Sequence, residues 1–153
     1  MSVHSRLAEL GIVIPEVVPP VAAYVPAIAT GRYVYTSGQL PMRDGEMIAV
    51  GLVGGDVDPD TAQECARQCA INAIAAVQSA VGNLDRVTRV VKVVGFVASA
   101  PGFTGQPAVI NGASEVLLEI FGDGGRHARS AVGVAALPLN APVEVEMIVE
   151  VAD

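Results

Sequence analysis

The stretch from Val87 to Ala98 constrains the fold more than any other. It carries Val90, Val91, Val93, Val94, Phe96 and Val97, interrupted by the charge of Lys92. Such a β-branched run is too continuous for a strand with one wet face, and it predicts a central strand buried on both sides. Its covers are legible on either side in sequence. Upstream, Asp58 or Asp60 begins a long helix with Pro59 in its first turn, apolar positions at Cys65, Cys69, Ile71, Ile74, Val77 and Val81, and a stop at Gly82. Downstream, past a loop from Pro101 to Pro107, Ala108 to Phe121 predicts a second helix. Its apolar side is Val109, Ile110, Ala113, Val116, Leu117, Ile120 and Phe121, and Gly122-Asp123-Gly124-Gly125 stops it.

Further strands flank this unit. Tyr24 to Ala29 and Tyr33 to Ser37 form a predicted hairpin around Thr30-Gly31-Arg32, which places Tyr24 and Ser37 on adjacent strands. Residues 42–59, with turn signals at Asp44-Gly45 and Gly54-Gly55, predict one short strand between loops. At the start, Ser5 to Leu10 reads as a helix capped by Ser5 and ended by Gly11, followed by an extended Ile12 to Pro20. At the end, Arg126 to Val151 holds two extended runs around Leu137-Pro138-Leu139-Asn140. In the second, Val143, Val145 and Met147 alternate with Glu144, Glu146 and Ile148. The order implies an α+β fold, a sheet with two main helices packed on one face, as a single domain over residues 1–153. Two helices cannot cover both faces of an apolar sheet. With 52% hydrophobic and 16% charged residues, the uncovered face is expected to lie between subunits.

Composition excludes several function classes. A net charge of −7 argues against the clustered Lys and Arg that phosphate neutralisation needs, and so against nucleic acid as a partner. No apolar run reaches the ~18 to 20 residues that span a bilayer, and MSVHSRLAEL lacks the core of a signal peptide, so no membrane partner and a cytoplasmic location are expected. Cys65 and Cys69 stand four apart, which suits neither a CxxC redox pair nor a zinc site; they read as buried, reduced thiols, and no metal is expected. His4 sits in the terminus. Gly54-Gly55 and Gly124-Gly125 belong to no phosphate-binding pattern, and two histidines give no Ser-His-Asp set.

The closing stretch carries the chemistry. Arg129 opens its first strand and Glu144 lies early in the second, so a hairpin-like or neighbouring arrangement would set a permanent cation near a carboxylate. That pair reads either as a cradle for a small carboxylic acid or as an ordinary cross-strand ion pair. Ala128-Arg129-Ser130, Leu137-Pro138 and Val143-Glu144-Val145-Glu146, with Tyr24-Val25 and Thr36-Ser37-Gly38-Gln39-Leu40-Pro41 far upstream, resemble the Rid (reactive intermediate deaminase) or YjgF family, some of whose members carry an endoribonuclease L-PSP label.

The resemblance covers the chain from about Tyr24 onward. It implies a chorismate-mutase-like fold, a homotrimer with clefts between subunits, and hydrolysis of enamines or imines of amino acids to 2-oxo acids and ammonia with no cofactor. Matched by position, Arg129 would hold the substrate carboxylate and Glu144 would manage the hydrolytic water. Tyr24, Ser37 and Gly38 would line the pocket, with His127 projecting to the same side as Arg129. Ala23, Ala131 and Ser114 stand where the family has proline, cysteine and asparagine. Asn111 could replace that asparagine only with a shift of about one helical turn. A non-catalytic or regulatory trimer binding small carboxylates is the second implied reading, and RNA cleavage the third, which the acidic balance disfavours.

Overall fold

The computed structural model describes residues 1–17, 19–20 and 22–153. The expected extended stretch from Ile12 to Pro20 has no regular secondary structure among its described residues, and Val18 within it lies outside them. Helix α1 (Val3–Leu10) precedes it, and its cap is Ser2 rather than Ser5: Ser2 Oγ accepts from the Ser5 amide at 3.0 Å. The earlier start has a tertiary cause, because the Val3 amide donates to Asp85 Oδ1 at 2.6 Å and so fixes the first turn. Gly11, at φ 67°, closes the helix in a conformation that only glycine adopts freely.

Strands β1 (Ala27–Thr30) and β2 (Tyr33–Thr36) form the expected hairpin, but it is shorter at its open end. Tyr24 and Ser37 both fall just outside it, not on adjacent strands. Pro26 has no N–H for the ladder, so β1 cannot extend back through it. Its carbonyl still accepts from the Ser37 amide at 2.8 Å, and this keeps the two ends together. Instead of one short strand, β3 (Met42–Arg43) and β4 (Glu46–Met47) pair across Asp44-Gly45, at φ 55° and 81°.

The long helix α2 (Pro59–Val81) begins where the sequence placed it. Asp58 accepts from the Thr61 amide at 2.7 Å, which holds its carboxyl below the usual range. Strand β5 (Val87–Ala98), helix α3 (Gln106–Phe121), strand β6 (Ala128–Val134) and strand β7 (Val143–Val151) complete the chain, with 3-10 turns at Gly122–Gly125 and Pro138–Asn140. The five long strands form one sheet in the order β1-β2-β7-β5-β6, antiparallel except for β5 and β6, whose parallel pairing is bridged by α3.

The core lies between the sheet and α2 with α3. Val90, Val93 and Val97 of β5, and Val143, Val145 and Val149 of β7, are fully buried beneath Ile74, Val77, Ile110 and Leu117. Irregularities in the β5–β7 register between Val87 and Arg89 and between Val90 and Lys92 keep both Val90 and Val93 on this side. Strand β5 is therefore buried on one face only, against expectation. On its other face Val91, Val94 and Phe96 stay partly exposed, beside Ile28, Tyr33, Tyr35 and Val132 at 42–59% exposure.

The two helices press together at Gly112 of α3, where a Cβ would strike the Gln63 carbonyl oxygen of α2. In an open helix Gly→Ala gains about 1 kcal/mol, yet here the neighbour is backbone that cannot rotate away. Gly112→Ala should therefore lower stability by about 1–3 kcal/mol. Urea unfolding would show a lower midpoint at unchanged slope, and a raised midpoint would contradict this account.

Candidate functional site

Arg129 and Glu144 do not meet. The expected hairpin between their strands is absent because β5 is inserted between β6 and β7: Arg129 aligns with Val93, and Val93 with Met147. Those partners are buried under the helices, so Arg129 points to the helix side. Glu144 alternates with buried Val143 and Val145 and so points to the open side. The seven residues expected to form a site divide into two groups.

The first group surrounds the start of β7. Gln39 bridges Val145 through amide–carbonyl bonds of 2.8 and 3.0 Å, and this lays Gly38 against Glu144. A Cβ on Gly38 would strike the Glu144 carboxylate, so the glycine is required by close approach. Ser37 Oγ donates to the Val25 carbonyl at 2.6 Å and pins the chain beside Tyr24. Tyr24, 48% exposed, lines with Gly38, Pro26 and Leu139 a small cleft of about 70 Å³. The Glu144 carboxyl is pushed up, first by burial and then by the neighbouring charge of Glu146.

The second group lies on the far edge, between α3 and β6. Arg129 Nη1 donates to Asn111 Oδ1 at 2.8 Å and to Ser114 Oγ at 3.2 Å, and Nη2 donates to the Pro107 carbonyl at 3.3 Å. Guanidinium has five N–H donors. These three bonds leave Nε and one Nη2 hydrogen without a partner among the described residues. Free donors on a guanidinium suit a carboxylate. His127 projects to the same side, as expected, and its Nε2 lies 2.9 Å from Ser114 Oγ. Ser114, Leu118, Arg126, His127 and Arg129 line an open pocket of about 310 Å³.

Asn111 reaches Arg129 alongside Ser114 instead of replacing it. Ser114 stands at the position of the family asparagine, whereas the structure brings Asn111 and Ser114, one turn apart on α3, to the same guanidinium. The 3-10 turn at Gly122–Gly125 sets where α3 stands along β6, and the glycines alone do not reveal that offset. The cysteines behave as expected: both are free and buried. Burial, with Glu64 beside it, pushes the Cys65 thiol up to about 11, and burial raises that of Cys69. Among the described residues no cluster of three or more His, Cys, Asp or Glu is placed to hold a metal, and no helix is long and apolar enough to cross a membrane. A larger cleft, of about 750 Å³, lies between Ile12–Val17, Arg43 and Arg67 and contains none of the expected site residues.

The fold and the edge arginine place the chain in a class of chorismate-mutase-like α+β proteins with a candidate anion site at the sheet margin. The family is shown directly: residues 4–151 match the model described as "YjgF/chorismate mutase-like, putative endoribonuclease", and the chain belongs to this family. It is 45% identical to Protein TCP17 of Trypanosoma cruzi over 97% of this chain and 93% of the relative. It is 36% identical to a 2-iminobutanoate/2-iminopropanoate deaminase of Dermatophagoides farinae, over 85% and 87%. A crystal structure of the protein Atu1372 from Agrobacterium tumefaciens, of unknown function, superposes with a TM-score of 0.91 at 48% identity, covering 98% of this chain and 92% of that one.

The raised carboxyl of Glu144 gives a pH test. An acid whose folded pKa is raised binds its proton more tightly in the native state. Its contribution is full below the ordinary value of 4.5 and is lost as pH rises through the folded value. Glu144→Gln should therefore raise the Tm at pH 8 relative to wild type and leave it nearly unchanged at pH 4. A Tm difference that is the same at both pH values would remove the role assigned to burial.

Proposed function

We propose that this protein is a Rid-type hydrolase that converts enamines or imines of amino acids to 2-oxo acids and ammonia. The observation that carries the reading is Arg129: three acceptors on α3 hold its guanidinium, two of its five N–H donors stay free of them, and it lines an open pocket. A guanidinium so held can bind a carboxylate bidentately, with the imine carbon held beyond it. Glu144, with its raised pKa, is suited to orient a water and take its proton as that water adds to the imine carbon. The relative named as an imine deaminase supports the same chemistry.

Within one chain the two groups lie on opposite faces, so the reading requires a second copy. The partly exposed apolar residues of the open face, Ile28, Tyr35, Phe96 and Val132 among them, are a surface for such an association. Closure as a homotrimer would give three clefts, each joining the Tyr24, Ser37, Gly38 and Glu144 group of one subunit to the Arg129, Ser114 and His127 group of another. A second reading, a carboxylate-binding trimer without turnover, is favoured by one feature: among the described residues no carboxylate lines the pocket at Arg129.

Arg129→Ala should lower the hydrolysis of 2-iminobutanoate, generated in place by an amino-acid oxidase, by about 100-fold or more, since two charge-assisted bonds at about 1.5–3 kcal/mol each are lost. Arg129→Lys should stay poor because an ammonium lacks the fork. Equal rates in wild type and Arg129→Ala would end the deaminase reading. Heat protection by a 2-oxo acid without any imine turnover would establish the binding reading instead.

Val132→Asp should put an unpaired carboxylate into the proposed interface, costing several kcal/mol, so that assembly and activity fall together. Light scattering on eluting peaks measures the first of these. A wild-type protein that is monomeric at micromolar concentration would exclude the shared cleft.

A further inference from the structure

The deamination reading makes little use of the hydrogen-bond chain behind Arg129. His127 Nδ1 lies 2.6 Å from the Gly125 carbonyl oxygen. A carbonyl only accepts, so Nδ1 carries the ring hydrogen and Nε2 presents a lone pair. Ser114 Oγ stands 2.9 Å from that lone pair, which directs the hydroxyl hydrogen onto the imidazole. Arg129 Nη1, 3.2 Å from the same oxygen, favours any negative charge that develops there. All three side chains line the open pocket of about 310 Å³.

A hydroxyl bonded to a base, with the base oriented by a third group, is the arrangement that activates a serine, and here the third group is a backbone carbonyl instead of an acid. We propose that Ser114 is a nucleophilic serine that accepts an acyl group from small activated esters, with His127 as its base and Arg129 as the cation facing the oxyanion. Ser114 Oγ bonds to the acyl carbon while His127 Nε2 takes its proton. The Arg129 guanidinium, within hydrogen-bond distance of Oγ, stabilises the resulting oxyanion. The carbon–oxygen bond to the alcohol then breaks, and the alcohol leaves with the proton from Nε2. Water, deprotonated by the same Nε2, attacks the acyl-serine; the acid is released and Ser114 recovers its proton. Atoms and charge balance with no other reactant.

This activity goes beyond imine hydrolysis and does not rest on it. Ser114, Gly125, His127 and Arg129 come from α3, the 3-10 turn, the two-residue link after it and β6 of one chain, so neither Glu144 nor a second subunit is needed.

The test uses the full chain with p-nitrophenyl acetate and, separately, a fluorophosphonate probe. The expected result is release of p-nitrophenol with an acetyl or phosphonyl mass on the peptide bearing Ser114. The adduct should be absent in Ser114→Ala, and its rate should fall at least about 100-fold in His127→Ala. Ser114→Cys supplies a readout that a merely structural role would not move: its thiol should be alkylated by iodoacetamide about tenfold or more faster than the thiol of Ser114→Cys combined with His127→Ala. No adduct on Ser114 of the folded protein, adduct formation indifferent to His127, or equal alkylation of the two thiols would each overturn the proposal.

Discussion

The rest of the structure depends on the pairing of β5 with β7. Along Val87↔Val151 to Val97↔Val143 the two strands share one buried face, and both helices lie against that face. Two shifts of register let β5 turn without losing its ladder, so Val90 and Val93 face the core although they are three residues apart. Once β7 holds one side of β5, its other side is free to accept β6, and the chain reaches β6 only by crossing through α3. Helix α3 is thus bound to lie beside the strand that carries Arg129. That proximity, more than any local motif, lets Asn111, Ser114 and the Pro107 carbonyl hold the guanidinium.

The same pairing separates the charges. A hairpin of β6 and β7 would have spent Arg129 on Glu144 as an ordinary ion pair. With β5 between them and the two side chains on opposite faces, each charge stays available. Arg129 keeps donors beyond its three bonds to α3. Glu144 sits partly buried against Gly38 with its carboxyl pushed up, so its ordinary preference for full ionisation is weakened. Both conditions suit chemistry on an anionic substrate, and neither would survive direct neutralisation.

Much of the fold was legible because it rests on local rules. Val87–Ala98 and Pro59–Val81 are marked by a β-branched run and by an Asp-Pro start with a glycine stop, and the structure places both elements at those spans, although the strand is buried on one face only. What could not be read depends on sheet order. Alternation in Val143–Val151 gives the two faces of β7, but nothing in it says that β5 is its neighbour in place of β6. For the same reason candidate site residues can be named by type, yet their division into two groups cannot be read. Asn111 was obscured by an offset, the 3-10 turn at Gly122–Gly125. His127 was visible as a neighbour of Arg129, but its bond to Ser114, thirteen positions away in sequence, is a product of how α3 lies on β6.

The open face links these facts. Phe96 on this face pairs with Glu144, and Val132 stands on β6 three residues from Arg129, so any partner that covered this face would run close to both groups. If the two groups act together, water would be kept from the clefts by the apolar contacts that join the subunits, and exclusion of water strengthens the carboxylate–guanidinium contact. Association would then fix the dielectric of the site as well as its composition. A substitution far along the open face could therefore weaken substrate binding without touching Arg129.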